Sequence, residues 1–425
     1  MGVSMEQYVL SLNSGSSSLK FNLFQRMEDK SLTSQLSGIV EEVGNVDRSL
    51  LKYDVNNVRH KVQVPVPSHK EALVLLFQEL EKNNIQMDAI CGVGHRVVHG
   101  GSKYSASVLV NEQVIQAIHE LIPLAPLHNA PNLTGIEEAV KLLPEAPHVA
   151  VFDTAFHSTM PESAFRYAIP NAWYQEYGVR KYGFHGISHL FVAKRAARFL
   201  NLPFDQFSGI TVHLGNGCSI TKIENGKSVD TSMGFTPLEG LVMGTRTGDI
   251  DPALISHVAN RLVEDKGLAL DEAYETVMHA LNKESGLKAL SGVSMMQDIR
   301  QRAVDGDLVA DAALSIYSYR VAKYIGAYWA TLPEAHAIVF TAGVGENEGY
   351  IRARILSFLK NLSFEIKDEN QLRKQEMVIA ISNKVGDRPL KVLVIPTDEE
   401  IVIGYDTLFI GCMNQDIPEL YPFEV

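Results

Sequence analysis

The run from Asp230 to Asp249, DTSMGFTPLEGLVMGTRTGD, carries Gly234, Gly240, Gly244 and Gly248, several hydroxyl side chains and one arginine, Arg246, with no lysine. A loop so rich in glycine can bring backbone N–H groups close to a bound group. A single guanidinium among such donors supplies a planar fork of charge suited to a phosphate or a carboxylate. The residues alone therefore point to an oxyanion site around Arg246. The Walker pattern GxxxxGK[ST] is absent from the chain, so any phosphate must be held by other turns.

Two further segments have that character and resemble each other. Residues 8–12 (YVLSL) read as a strand, residues 13–18 (NSGSSS) as a small polar turn, and the chain returns with Leu19, Phe21 and Leu23 alternating against Lys20 and Asn22. Near residue 210, ITVHL leads into Gly215-Asn216-Gly217-Cys218-Ser219, and a second strand, Ile220 to Ile223, ends at Asn225-Gly226, a strong hairpin signal. A strand, a glycine turn and a returning strand in each half of the chain predict a duplicated α/β fold. The spacing is too wide for a solenoid.

Strand and helix patterns alternate along the chain. Helices are expected over Glu71 to Lys82, on Leu73, Leu76 and Leu80, and over Ala312 to Leu332, where Leu314, Tyr317, Val321, Tyr324 and Tyr328 form a stripe. The stripe, with Tyr319 and Trp329 beside it, suits core packing or a subunit interface. The apolar strand Ala337 to Phe340 runs into Gly343-Val344-Gly345-Glu346-Asn347, followed by helical spacing at Ile351, Ile355, Phe358 and Leu362. Such a junction lets backbone approach a flat ring or a phosphate.

Composition narrows the function. The 425 residues suffice for two or three domains, and 46% hydrophobic with 21% charged residues is ordinary for a globular protein. A formal net charge of −12 without basic clusters speaks against nucleic-acid binding. Cys91, Cys218 and Cys412 form no CxxC pair, so no disulfide framework is expected. The apolar runs are too short to span a bilayer and the N-terminus lacks an apolar signal core, so a cytoplasmic location away from membranes is expected. His95 and His99, and His185 and His189, are each four apart, a zinc spacing on a helix. The adjacent Gly100-Gly101, Gly183 and Gly186 argue against helices there.

The chain resembles the acetate kinase family, within the larger group of actin, the heat-shock chaperones and sugar kinases. Nine runs carry the likeness, in order from about residue 8 to 405: residues 13–20, 94–101 (GHRVVHGG), 123–129 (PLAPLHN), 152–157 (FDTAFH), 182–189 (YGFHGISH), 213–219, 230–252, 340–347 and 396–400. The resemblance implies duplicated actin-like (ribonuclease H-like) domains with an interdomain cleft. It places one domain at 1–155 plus about 400–425, with carboxylate and phosphate contacts, and a nucleotide-binding domain at 156–399. It implies reversible, in-line transfer of the γ-phosphoryl group of ATP to acetate, with propionate or butyrate as the alternative acceptor. A non-catalytic nucleotide-dependent clamp is the remote alternative, and it would leave Arg96, Arg246 and His185 without a purpose.

The resemblance also assigns residues. Asp153, His185 and Arg246 are catalytic. Arg96, Val98, Leu127 and Pro237 receive the carboxylate and its alkyl group. Lys20, His213, Leu214, Gly215, Asn216 and Gly217 contact phosphate, and Asp298, Ile299, Arg300 and residues 343–347 contact the adenosine of ATP. Asn13 and Glu399 hold Mg²⁺, or Mn²⁺ in its place, and a homodimer is implied. Two arginines suit a reaction between two anions, which otherwise repel strongly at reacting distance. For Asp153 the family role is acid/base. A short carboxylic acid is already ionised near neutrality, so positioning Mg²⁺ or its waters is the chemically simpler task. Cys218 beside the phosphate turn suggests sensitivity to thiol reagents. Asp398 stands where asparagine is common, and Ala130-Pro131 shifts a proline that usually follows Asn129.

Overall fold

Every residue of β1 (Tyr8–Ser14) is buried, because this strand lies inside an eight-stranded sheet. The computed structural model describes residues 6–55, 58–383 and 389–424, without the side chains of Pro126 and Leu127. It divides into two units, residues 1–158 with 398–425, and residues 159–397.

In the first unit β1 pairs antiparallel with β2 (Ser18–Arg26), which pairs with β3 (Leu32–Glu41). Two hairpin strands, β4 (Leu50–Val55) and β5 (Val58–Gln63), extend that edge. On the other side β6 (Ile90–Val97) runs parallel to β1, then come the short β7 (Val108–Leu109) and β8 (His148–Phe152), the latter parallel to β6. The order is β5-β4-β3-β2-β1-β6-β8-β7. Leu19, Phe21 and Leu23 turn into the core as their alternation predicts. The helix His69–Lys82 starts two residues before the expected Glu71 because Ser68 caps it, its hydroxyl accepting from the Lys70 amide. Leu73, Leu76 and Leu80 pack under the sheet.

The second unit repeats this pattern. Antiparallel β9 (Gly209–Leu214), β10 (Cys218–Glu224) and β11 (Lys227–Thr231) precede β12 (Ala337–Thr341), β13 (Glu365–Ile366), β14 (Met377–Ser382) and β15 (Leu390–Val394). The order is β11-β10-β9-β12-β15-β14-β13, with β9, β12 and β15 parallel. Thus β3-β2-β1-β6-β8 and β11-β10-β9-β12-β15 are one arrangement used twice, the duplicated actin-like α/β fold. The β10–β11 turn uses Asn225 and Gly226, both at positive φ (50° and 73°), as a two-residue hairpin of this hand requires.

Each unit lays a helix on its two leading parallel strands: Glu399–Asp406 on β1 and β6, and Gly186–Phe199 on β9 and β12. The long helix of the second unit runs Leu308–Ala330, four residues earlier than its stripe predicts, since Asp307 caps it by accepting from the Val309 and Ala310 amides. Its Leu314, Tyr317, Val321 and Tyr328 are buried, whereas Ile316 and Tyr319 are exposed. Among the described residues no helix is long and apolar enough to cross a membrane.

Candidate active site

In open sheets with parallel strands, ligands collect at the carboxyl ends of those strands. In the first unit Asn13 is the next-to-last residue of β1, Arg96 lies near the end of β6, and Asp153 follows β8, its amide donating to the Val97 carbonyl at 2.9 Å. Asn13 and Lys20 are cross-strand partners and so share a face, with Lys20 exposed. Arg96 is the hub. Its Nε donates to Asp153 Oδ1 at 3.0 Å and its Nη2 to Asp153 Oδ2 at 2.5 Å. Its Nη1 donates to Asn13 Oδ1 at 3.4 Å, and Glu399 Oε2 lies 3.8 Å from Nε. Burial works against the Arg96 charge, but Asp153, Glu399 and Glu400 hold the guanidinium above its ordinary value. Glu400 and Asp398 are both pushed up, chiefly by burial, with the Glu399 charge adding to it.

Glu399 is the first residue of its helix, and Asp398 caps that helix by accepting from the Ile401 amide at 2.9 Å. Asparagine, the residue expected at 398, serves that cap equally well. Val98 is buried and donates its amide to Asn132 Oδ1, while Asn132 Nδ2 donates to the Ser14 carbonyl. Asn132 thus ties the end of β1 to the segment after β6. The side chain of Leu127 lies outside the described residues.

In the second unit the same strand ends carry imidazoles and hydroxyls. His213 and Ser219 are cross-strand partners beside the Gly215-Asn216-Gly217 turn. Ser219 Oγ meets His185 Nδ1 at 2.9 Å and His189 Nε2 at 2.7 Å, and His189 Nδ1 meets Thr211 Oγ1 at 2.7 Å. Ser188 Oγ joins His213 Nδ1 and Thr397 Oγ1, both at 2.8 Å, and the His185 and His213 rings stack at 4.2 Å. Contrary to the reading of Gly183 and Gly186 as helix breakers, a helix begins at Gly186. His185 takes the left-handed conformation (φ 58°) just before it, and glycine at a first helical position costs little because no interior hydrogen bond is yet at stake. The four-residue spacing then puts His185 and His189 on one side, where a serine hydroxyl joins them. His95, by contrast, lies on β6 and meets His148 Nδ1 at 2.9 Å.

Arg246 projects from the glycine-rich loop. Its Nη1 donates to the Pro237 carbonyl at 3.1 Å, and among the described residues it has no ion-pair partner. Burial lowers its pKa, with only Cys218 opposing. A Cβ on Gly217 would stand 3.2 Å from Cε1 and Nε2 of His185 and 3.5 Å from Nη1 of Arg246. Glycine at 217 therefore keeps one small space flanked by two donors.

A cavity of about 330 Å³ adjoins this turn, within the range of about 300–1,000 Å³ usual for small-molecule sites. Gly215, Asn216, Gly244, Gly343, Val344 and Asn347 line it, together with Met295, Tyr317 and Glu348. The predicted turn at 343–347 is itself a short helix, Ala342–Asn347. Gly345 packs against Phe340, and Glu346 turns inward to accept from the Ala342 and Thr397 amides. Of the predicted adenosine segment, Ile299 is core and Asp298 is exposed. Arg300 reaches the cavity wall through an ion pair with Glu348 at 3.1 Å. The run that lines the cavity is 294–297, just upstream, and nothing in its composition announces it. Cys218 is fully buried, with its thiol pushed up to about 11 by burial, which makes it inert rather than reagent-sensitive.

Residues 8–405 match the model of the acetokinase family. The chain is 47% identical over 408 residues to an acetate kinase of Macrococcus caseolyticus, covering 95% of this chain and 98% of that protein. Among solved structures it resembles an acetate kinase of Porphyromonas gingivalis (TM-score 0.83, 40% identity, covering 95% of this chain and 99% of that one). It also resembles a propionate kinase of Francisella tularensis (TM-score 0.86, 38% identity, covering 96% and 100%).

Proposed function

We infer the function from a shown kinship: the chain belongs to the acetokinase family, whose members are phosphotransferases with a carboxyl group as acceptor. It transfers the γ-phosphoryl group of ATP to acetate, reversibly, giving ADP and acetyl phosphate. The observation that carries this reading is the half-buried Arg246, without an ion-pair partner among the described residues, beside His185 over Gly217, a pair of donors prepared for an anion.

The adenosine occupies the cavity lined by residues 294–297, Gly343, Val344, Asn347 and Glu348, and its phosphates follow the adjoining Gly215–Gly217 turn. Lys20 of the first unit is a further candidate phosphate donor. His185 and Arg246 meet the equatorial oxygens of the transferring group, whose charge is spread in a loose, in-line transition state. Arg96, held in place by Asp153, offers Nη1 to the acetate carboxylate, and the buried Val98 next to it in the chain is offered to the methyl group. The donor set of the first unit suits a hard divalent cation. Asp153, Glu399 and Glu400 outnumber the positive charges of Arg96 and Lys20, and Asn13 adds a neutral oxygen. Mg²⁺, or Mn²⁺, when held by Asn13 and Glu399, supplies positive charge to the phosphate oxygens. Asp153 acts by fixing Arg96 and the waters of that ion.

The protein works in the cytoplasm and as a homodimer; the dimer is supported by the exposed Ile316 and Tyr319 on the helix Leu308–Ala330. Light scattering at the mass of one chain would reject it. Activity is tested by trapping the acyl phosphate as hydroxamate with ATP, Mg²⁺ and acids from formate to butyrate. A maximum kcat/KM at acetate is expected. A maximum at propionate would favour the second reading, suggested by the likeness to the Francisella enzyme. One methylene is worth only about 1–3 kcal/mol in such a pocket.

A further inference from the structure

Cys91 and Cys412 are 321 residues apart, yet their sulfur atoms lie 2.6 Å from each other within the first unit. Cys91 is the second residue of β6, and Cys412 ends the helical turn Thr407–Cys412 that continues the helix Glu399–Asp406. Two glycines on β6 let this helix approach. A Cβ on Gly94 would collide with Thr407 and Ile403, and one on Gly92 would stand 2.9 Å from the Cys412 sulfur. Both thiols are free and only partly buried, and Cys91 also borders a cavity of about 530 Å³ near Glu6, Ala89 and Pro147. A small oxidant therefore has a route to it. The two sulfurs share a hydrogen bond, which draws the Cys91 thiol below its ordinary value, with Arg26 acting in the same direction. Such a thiol is the better nucleophile of a pair. A disulfide needs sulfurs about 2.05 Å apart, so closing the gap takes a shift of about 0.5 Å.

We propose that Cys91 and Cys412 form a reversible oxidative modification site, in which a peroxide converts the pair to an intramolecular disulfide. The Cys91 thiol gives up its proton, the thiolate attacks one peroxide oxygen, the O–O bond breaks, and the expelled hydroxide takes up that proton and leaves as water, with a sulfenic acid on Cys91. The Cys412 sulfur then attacks the Cys91 sulfur and expels hydroxide, which takes the Cys412 proton and leaves as a second water. The sulfurs lose two electrons and the peroxide gains them. A dithiol reductant reverses the change by exchange. The bond staples together the far ends of the two elements whose other ends carry Arg96 and Glu399.

The test treats the full chain with a small molar excess of hydrogen peroxide, quenches with an alkylating agent and counts thiols in denaturant. The three cysteines should fall to one free thiol, Cys218, and the intact mass should drop by two hydrogens. Peptide mapping should find residues 91 and 412 linked. The melting temperature should rise by roughly 5–10 °C, as expected for one added cross-link, and dithiothreitol should restore it. Cys91→Ser and Cys412→Ser should each abolish the rise. Three thiols persisting in the wild-type protein would overturn the proposal, as would thiols lost only to sulfinic acid or to bonds between chains on a non-reducing gel.

Discussion

Arg96 and Arg246 are both marked by the sequence for anion binding, and the two units treat them in opposite ways. In the first unit the Arg96 fork is filled by the Asp153 carboxylate, with Glu399 nearby, so its charge is neutralised within the protein. In the second, Arg246 is half-buried beside carbonyl and sulfur groups, without a carboxylate partner among the described residues. A neutralised arginine is held in place and stabilises its unit, and an incoming carboxylate must share it. An uncompensated arginine costs stability until an anion arrives, and its pull is then undiluted. The strand ends differ in the same sense: Asn13 and Lys20 with carboxylates in one unit, His213 and Ser219 with imidazoles in the other. One fold used twice thus carries a carboxylate-rich strand end and an imidazole-rich one.

The sharpest way to break this comparison is stability. Arg96→Met leaves Asp153 buried and unpaired, and should destabilise the first unit by about 3–5 kcal/mol. Arg246→Met should leave the second unit unchanged or up to about 1 kcal/mol more stable. Native-state hydrogen exchange, read separately on β6 and β12 amides, checks both. Equal losses in the two units would show that Arg246 has a counter-charge after all.

Catalysis should reverse the ranking. Arg246→Ala is expected to lower kcat by roughly 10²–10³-fold while the KM for ATP stays within about twofold, because its donors meet charge that develops during transfer. Arg246→Lys should not rescue it. A rescue would mean that charge alone matters, not the fork. For the carboxylate end, Asp153→Asn should raise the Mg²⁺ needed for half-maximal rate by roughly 10-fold or more and add no new ionisation to the pH profile of kcat. A loss of kcat at saturating Mg²⁺, with unchanged metal dependence, would instead assign Asp153 to proton transfer.

The two equivalent glycine turns give a smaller contrast. Gly217→Ala pushes on His185 and Arg246 and should cost about 10-fold in kcat. Gly15→Ala meets chiefly the Ser18 hydroxyl, a side chain able to rotate away, and should cost less than about twofold. Similar losses would mean that both turns clamp phosphate equally.

The smallest effect is a pH limb confined to the first unit. Burial lowers the pKa values of His95 and His148 beneath 6.5, and in His95 the His148 charge adds to it. The unfolded chain therefore binds protons below pH 6.5 that the folded unit does not. The stability these histidines contribute is complete above that pH and falls as the pH drops toward their folded values. Hydrogen exchange on β6 should show this fall, and His95→Phe should flatten it. An unchanged limb in the variant would place the titration elsewhere.

Much of the fold was legible in residues close together in the chain. The alternation of Leu19, Phe21 and Leu23 fixed which face of β2 is buried, and Asn225-Gly226 fixed a hairpin by its backbone preference alone. The glycine turns at 215–217 and 234–248 were legible as close backbone approaches, and both border the cavity of the second unit through Gly215 and Gly244. These signals are local, because side-chain periodicity and φ preference act over a few residues. Tertiary structure decided the rest. The pairing of Arg96 with Asp153 depends on the register of β6 with β8, set by the crossover between them. The junction of His185 and His189 on Ser219 depends on where β10 crosses the helix start. Residues 294–297 reach the cavity beside the Gly215–Gly217 turn, and Cys412 reaches Cys91, only through packing of helices far along the chain. Composition lists the groups a chain can use; strand register and helix packing determine which of them meet, and so which arginine is left to wait for an anion.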